Sequence, residues 1–315
     1  MKWVRRENSS KGSMLILVLW AVAFLSFLII EVIRQVNVDL DIAVAQEKNF
    51  RALQLAESGL AYGLHSNIED NDPILDQQMN ELESFKVTRG SENGRLNINE
   101  ILKSGDTTPL VNFFVILELN KSESDAVIDA LLDWVDGNDL ARLNGAEAED
   151  YEEAGRRKLP RNAFFQTVEE MSYVMGWERV MELNPNWMDH FTVYGDGKLD
   201  LLEASSLLIQ STLGLPESQA ESFILMRDGP DEEKDTEDDF DFQDNLEYVL
   251  DALGLSGDDR TLASEIVTIS GNIKRITSVG KVGDFERKLV VVIQPESGNN
   301  NRSANRFEFL SWRVE

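Results

Sequence analysis

At 315 residues with 42% hydrophobic side chains, the chain can bury a core, and wholesale disorder is excluded. Its 57 acidic against 30 basic residues give a formal net charge of −27, a field that repels phosphate backbones and argues against nucleic acid as a partner. There is no cysteine and there are only two histidines, His65 and His190. Disulfides, thiolate metal sites and cysteine nucleophiles are therefore excluded, and histidine chemistry is poorly supplied.

From Ser13 to Ile30 runs an uninterrupted apolar or small-residue stretch, which as a helix reaches roughly 27 Å, close to a hydrocarbon core. Lys2, Arg5, Arg6 and Lys11 precede it against Glu7 alone, so the positive-inside rule keeps the N-terminus cytoplasmic. After Ile30 comes EVIRQVNV, with no small-x-small site for an ordinary signal peptidase. The segment 13–30 is thus expected to stay on the protein as a transmembrane helix. Val36, Leu40, Val44, Leu53, Ala56, Leu60 and Leu64 continue a helical stripe, and no proline intervenes before Pro73. The spacing predicts one helix from about Met14 to Asn67, with 31–67 as an amphipathic continuation. A plain single-pass anchor followed by a juxtamembrane helix would account for these features too.

Lys11-Gly12 followed by Ser13-Met14-Leu15 resembles the site cut by prepilin peptidase. On that reading residues 1–12 are a leader, Gly12 is its last residue and Ser13 the mature N-terminus. Most pilins carry a glutamate at the fifth mature position, where it neutralises a neighbouring subunit's ammonium; here the position is Leu17. An unpaired charge in lipid is costly, so a chain lacking this acid is ill suited to the interior of a filament. A subunit with no neighbour above it has no ammonium to neutralise, which points to a tip.

Strand signals follow at Phe85–Thr88 and Arg95–Ile98, around a turn at Ser91–Gly94. Leu110 to about Leu255 is helical in pattern. Strands return over Ile266–Lys281, Phe285–Ile293 and Arg306–Val314, the last after a polar GNNNRSAN loop. The expected fold class is α+β: a long N-terminal helix and a sheet with a large helical domain inserted between its strands. The divisions are 68–109 for the first part of the sheet domain, 110–260 for the insert and 261–315 for the closing strands. LNINEIL at Leu96–Leu102 and LDLLEASSLL at Leu199–Leu208 suggest a weak internal repeat. Leu213-Gly214-Leu215-Pro216 resembles a helix-hairpin-helix turn, but Pro216 lacks an amide and Glu217 would repel phosphate.

Within the insert, Asp133, Asp136, Asn138 and Asp139 precede Glu147, Glu149 and Asp150. Asp133 and Asp136 lie about one helical turn apart and can share a face. Calcium takes six to eight hard oxygens on a flexible loop, so this segment is the candidate metal site, with Asp133, Asp136, Asp139, Glu147 and Asp150 as ligands. A solvated acidic turn is the competing reading. A second acidic run, Asp228 to Asn245, reads as an exposed like-charge segment. Trp134, Trp177, Trp187 and Trp312 read as packing residues, His190 as structural, and Asp196 and Asp200 as a turn and helix entry.

Four stretches occur in order: GRLNINEIL (Gly94 to Leu102), ALLDWVDGNDLARLNGAEAEDY (Ala130 to Tyr151), RNAFFQTVEEMSYVMGW (Arg161 to Trp177) and DGKLDLLEASSLLIQSTLGL (Asp196 to Leu215). With the leader and Leu17 they resemble the K-type minor pseudopilins of type II secretion. KLDLLEAS is looser than the Asn-rich version usual in that family, and cysteines found in some relatives are absent. The resemblance implies a non-enzymatic inner-membrane protein with a pilin-like antiparallel sheet and a large inserted helical domain. It further implies a place at the tip of a periplasmic pseudopilus, in complex with the I- and J-type minor pseudopilins. There the complex would start assembly and meet secreted substrates or the secretin, with calcium as a bound ion. Two other readings stand beside it: a tip-type minor pilin of a type IV pilus in adhesion or DNA uptake, and a membrane-anchored periplasmic hydrolase using paired carboxylates. No nucleophile or acid/base constellation supports the hydrolase.

Overall fold

The computed structural model describes residues 10–231, 234, 236, 238–295 and 307–315, with side chains from Met14 onward. Most of the leader, the side chains of residues 10–13 that flank the expected cut between Gly12 and Ser13, part of the second acidic run and the polar GNNNRSAN loop lie outside the described residues.

Helix α1 spans Ser10–Gly63. It has no internal proline, and Met14–Gly63 is long and apolar enough to cross a membrane. Residues 14–44 are exposed throughout, Leu17 among them. The helix stops at Gly63, four residues short of the expected Asn67, where the chain turns through hydrogen bonds such as His65 N–H to Tyr62 O. Its last third changes character: Ala52, Ala56 and Leu60 are buried against a sheet.

That sheet has five antiparallel strands in the order β1-β2-β7-β8-β9. They are β1 (Asp76–Gln78), β2 (Glu83–Ser91), β7 (Lys274–Val282), β8 (Phe285–Pro295) and β9 (Phe307–Val314). Small residues let the helix sit close. A Cβ on Gly280 of β7 would overlap the carbonyl oxygen of Ala52, and one on Gly59 would strike Ser278, Phe85 and Val87. Phe85, Val87, Ile276, Leu289 and Val291 complete this first core.

Everything between β2 and β7 forms the insert. It comprises β3 (Leu96–Asn97), α2 (Ile98–Ser104), α3 (Thr108–Ile116), α4 (Lys121–Val135), α5 (Ala148–Glu153) and α6 (Trp177–Leu183). It continues through β4 (Phe191–Thr192), β5 (Leu199–Asp200), α7 (Ser206–Leu213), α8 (Glu217–Arg227), α9 (Leu246–Ala252), α10 (Gly257–Ile266) and β6 (Val267–Thr268). Its separate core is built on Phe113, Phe114, Leu131, Trp134, Trp177 and Phe191. That core also takes in Leu96, Ile98 and Leu102 at one end and Ala263 and Val267 at the other, so the divisions drawn at 110 and 260 fall inside it.

The strand expected over Arg95–Ile98 does not join the main sheet. Asn97 is buried and its side chain accepts the N–H groups of Asn99 and Glu100, which starts α2 at Ile98 and leaves a two-residue strand. This β3 pairs in parallel with β4. Likewise the expected strand from Ile266 begins only at Lys274; before it, α10 ends at Ile266 and β6 pairs in parallel with β5. The repeat suggested by the sequence is visible here. Asn97 and Asp200 are both buried ends of two-residue strands, and Asp200 accepts the N–H of Leu202 as Asn97 does that of Asn99.

Insert and sheet meet at a polar junction. Glu92, 1% exposed, accepts hydrogen bonds from Arg275 Nε at 2.6 Å and Nη2 at 3.1 Å, and from Thr192 Oγ1 at 2.7 Å. Its N–H donates to Ile273 O. Arg313 of β9 reaches Glu169 at 2.6 Å, and the Tyr194 hydroxyl donates to Leu310 O. Trp134, Trp177 and Trp187 are buried as expected; Trp312 is not, being 52% exposed on edge strand β9 beside Phe309.

Candidate metal centre

Helix α4 is fixed at its start by a capping box between Asn120 and Glu123 and buries Val127, Leu131 and Trp134. Trp134 stacks on Phe165 with centroids 5.7 Å apart and meets Tyr151 edge-on. Tyr151 in turn accepts the Met175 N–H, and burial pushes its hydroxyl up to about 12. These aromatic contacts lock the last turn of α4, where Asp133 has no solvent exposure and Asp136 caps the helix end.

The chain then loops back over both carboxylates. Arg142 N–H donates to Asp133 Oδ2 at 3.0 Å, and its Nη1 donates to Asp133 Oδ1 and to Asp136 Oδ2, the latter at 2.6 Å. Asn144 binds Asp129 Oδ2 through its backbone N–H and its side-chain Nδ2, at 3.1 and 2.9 Å. Gly145 crosses so close that a Cβ there would overlap Asp133 Oδ2.

Glu147 follows at the start of α5. It is 4% exposed, and neither carboxylate oxygen has a hydrogen-bond partner. Burial, followed by the fields of Asp133, Asp136 and Asp139, pushes its carboxyl up to about 7. A buried acid with nothing to bind is expensive, and of the charges that act on it Asp133, Asp136 and Asp139 share its sign while Arg142 opposes them.

Of the five residues expected to act together, Asp133 and Asp136 share Arg142, and Glu147 feels the fields of Asp133, Asp136 and the exposed Asp139, but the three carboxylates Asp133, Asp136 and Glu147 do not close to within 4.8 Å of one another. Asp150 is exposed and engaged elsewhere, accepting the Glu147 N–H at 2.9 Å as part of the α5 cap. The sequence reading missed Arg142, which lies nine residues from Asp133 and bridges Asp133 and Asp136. The donors are hard oxygens of the kind a dication takes, but they are not drawn around a common point.

In the second acidic run, oxygens of Asp231, Asp238 and Asp239 lie within 4.8 Å of one another; Asp231 and Asp238 are exposed. Thr236 donates to Asp238 and Asp239, as it would in a solvated acidic turn. His190, whose ring burial holds below the ordinary histidine range, packs edge-on against Phe113 and contacts Asn184, a structural position as expected.

Residues 94–184 match the family model for type II secretion system (T2SS) protein K, which covers the loop just described. No curated protein sequence matches the chain. The fold is similar to a chain in the crystal structure of the GspK-GspI-GspJ complex from the enterotoxigenic Escherichia coli type 2 secretion system. The TM-score is 0.56 at 12% identity, covering 89% of this chain and 99% of that one. A long apolar N-terminal helix laid on an antiparallel sheet, with this first domain following its second strand, makes the chain similar to the pseudopilins of type II secretion. The matched domain and the shared fold together support a K-type minor pseudopilin, with α1 suited to a single-pass inner-membrane anchor.

Proposed function

We propose that this chain is the terminal subunit of the pseudopilus, cut after Gly12 and assembled with I- and J-type minor pseudopilins to start the filament and support export. The observation that carries this reading is α1: residues 14–44 are exposed on every side, and no acid occurs in the mature segment before Glu31. Such a helix offers its flanks to neighbouring helices but has no carboxylate at Leu17 with which to sit beneath another subunit. An insert between β2 and β7, folded around its own core, adds bulk that regular helical stacking would have to accommodate at every repeat. The similar solved chain comes from a complex described as containing GspI and GspJ, which supports partners of that kind here.

Calcium is the ion this reading assigns to the loop, where the carboxylates of Asp133, Asp136, Asp139 and Glu147 would have to draw together around it. Bound there, it ties the end of α4 to the start of α5. The test of function is deletion. Loss of exoprotein secretion with motility and DNA uptake intact is expected, and the reverse pattern would favour the type IV pilus reading. N-terminal sequencing of membrane-extracted protein should begin at Ser13; a full-length chain in cells with active prepilin peptidase would remove the pilin-type reading altogether.

A further inference from the structure

We infer that the cleft between the sheet and the insert binds a carboxylate carried on a polypeptide segment, and that Arg95 is the group that receives it. The cleft holds about 880 Å³, the scale of a site for a short peptide. Phe85, Val87 and Ile276 belong to the core under α1. Strand alternation therefore turns Thr88 and Thr277, cross-strand neighbours on β2 and β7, to the opposite side, where they form the floor of the cleft. Asp189, His190 and Ser205 of the insert line its far wall. Arg95 lies where floor and wall meet, just past the point at which the chain leaves the sheet.

Arg95 is a cation with too few partners. Its side chain is 19% exposed, and its Nε is buried with no acceptor. Its ion pair runs from Nη1 to Glu92 Oε2 at 3.6 Å, beyond the reach of a hydrogen bond. Glu92 is already held by Arg275, which donates to both of its oxygens. The other acids that act on Arg95 are Asp189 and Glu203, and Lys234 engages Glu203 at 3.0 Å. Elsewhere in the cleft Lys86 pairs with Asp76 and Arg89 with Asp70. Burial, followed by the field of Arg275, holds the Arg95 guanidinium below the ordinary arginine range. A guanidinium placed like this destabilises the empty cleft and is relieved when a carboxylate offers it two oxygens. The net charge of −27 disfavours a free small anion, whereas a polypeptide brings one carboxylate together with uncharged contacts that fill the remaining volume.

The experiment uses the full chain in detergent micelles, with an acetylated and amidated alanine–glutamate–alanine tripeptide as the probe. Its glutamine counterpart and sodium acetate are the comparisons, read by calorimetric titration and thermal melting of wild type, R95M and R95K. Wild type should bind the glutamate peptide at least tenfold more tightly than either comparison. R95M should lose that preference. Without peptide it should melt roughly 2–4 °C above wild type, because the group removed has no hydrogen bond to lose. R95K keeps the charge and should keep a reduced preference. If acetate binds as tightly as the glutamate peptide, the site takes a free anion and the polypeptide assignment is overturned. If R95M still prefers the glutamate peptide, Arg95 is not the receiving group. If wild type does not distinguish the two peptides, the site is refuted, and R95M melting below wild type would then assign Arg95 to the Glu92 junction.

Discussion

Glu92 shows how much one side chain can carry at a domain junction. It receives Arg275 from the sheet and Thr192 from the insert, with Arg95 a further 3.6 Å away. Replacing it with alanine strands two mostly buried guanidinium groups, which should cost about 3–5 kcal/mol in chemical denaturation. A paired E92Q/R275M variant should lose much less than the sum of its single changes. Asp200 offers a pH test. Burial holds its carboxyl above the ordinary aspartate range, so the fold binds the protonated form more tightly than the unfolded chain does. Its contribution is full below the unfolded value near pH 3.9, by order of magnitude, and is lost as pH rises through the higher folded value. Wild type should therefore gain stability relative to D200N as pH falls from 7 towards about 4, and the gap between their denaturation midpoints reports it. Neither role was readable beforehand. Glu92 and Arg275 are 183 positions apart, and nothing local marks them as partners. Arg142 was in plain view, but acids spaced for a metal drew the reading away from a base that could neutralise them.

Among the elements, α1 and the closing strands were legible, apart from the late start of the first of these strands at Lys274, because each repeats its period several times over. The parallel pairs β3–β4 and β5–β6 were not, since two residues have no period and their partners lie far along the chain. The boundary of the insert was drawn late for the same reason: β3 looked like the second arm of a hairpin until Asn97 was seen to cap a helix. The seating of α1 depends on Gly280, whose missing side chain admits the backbone at Ala52 and Ala56. Gly280→Val should lift the helix off β7 and destabilise the sheet domain by about 1–3 kcal/mol, with earlier protease cleavage in α1 as the readout. An equivalent change at Gly137, where nothing lies within 4 Å of the added carbon, should leave both measurements unmoved.

Over the whole molecule the charge is unevenly shared. Residues 92–273 hold 40 of the 57 acidic and 13 of the 30 basic residues, so the insert alone accounts for the net −27 and the remainder is balanced. Raising ionic strength should accordingly stabilise the full chain, most steeply below about 0.15 M salt, as screening relieves the self-repulsion of the insert. The composition announced a strongly acidic protein but could not say that the acidity stops at the edge of the sheet.

Ser91 and Lys274 face one another as cross-strand neighbours, so the 182 intervening residues leave and re-enter the sheet through a single gap about 5 Å wide. The insert is thus a detour within one β-hairpin. Splicing Asn-Gly between those two positions, with Val290 and Val292 changed to threonine where the detour had covered them, should restore a tight hairpin. The product would be a small body of nearly balanced charge that melts cooperatively without any of the acidic lobe. Whatever the lobe does, it could be added to or removed from such a body without disturbing the strand order that carries it.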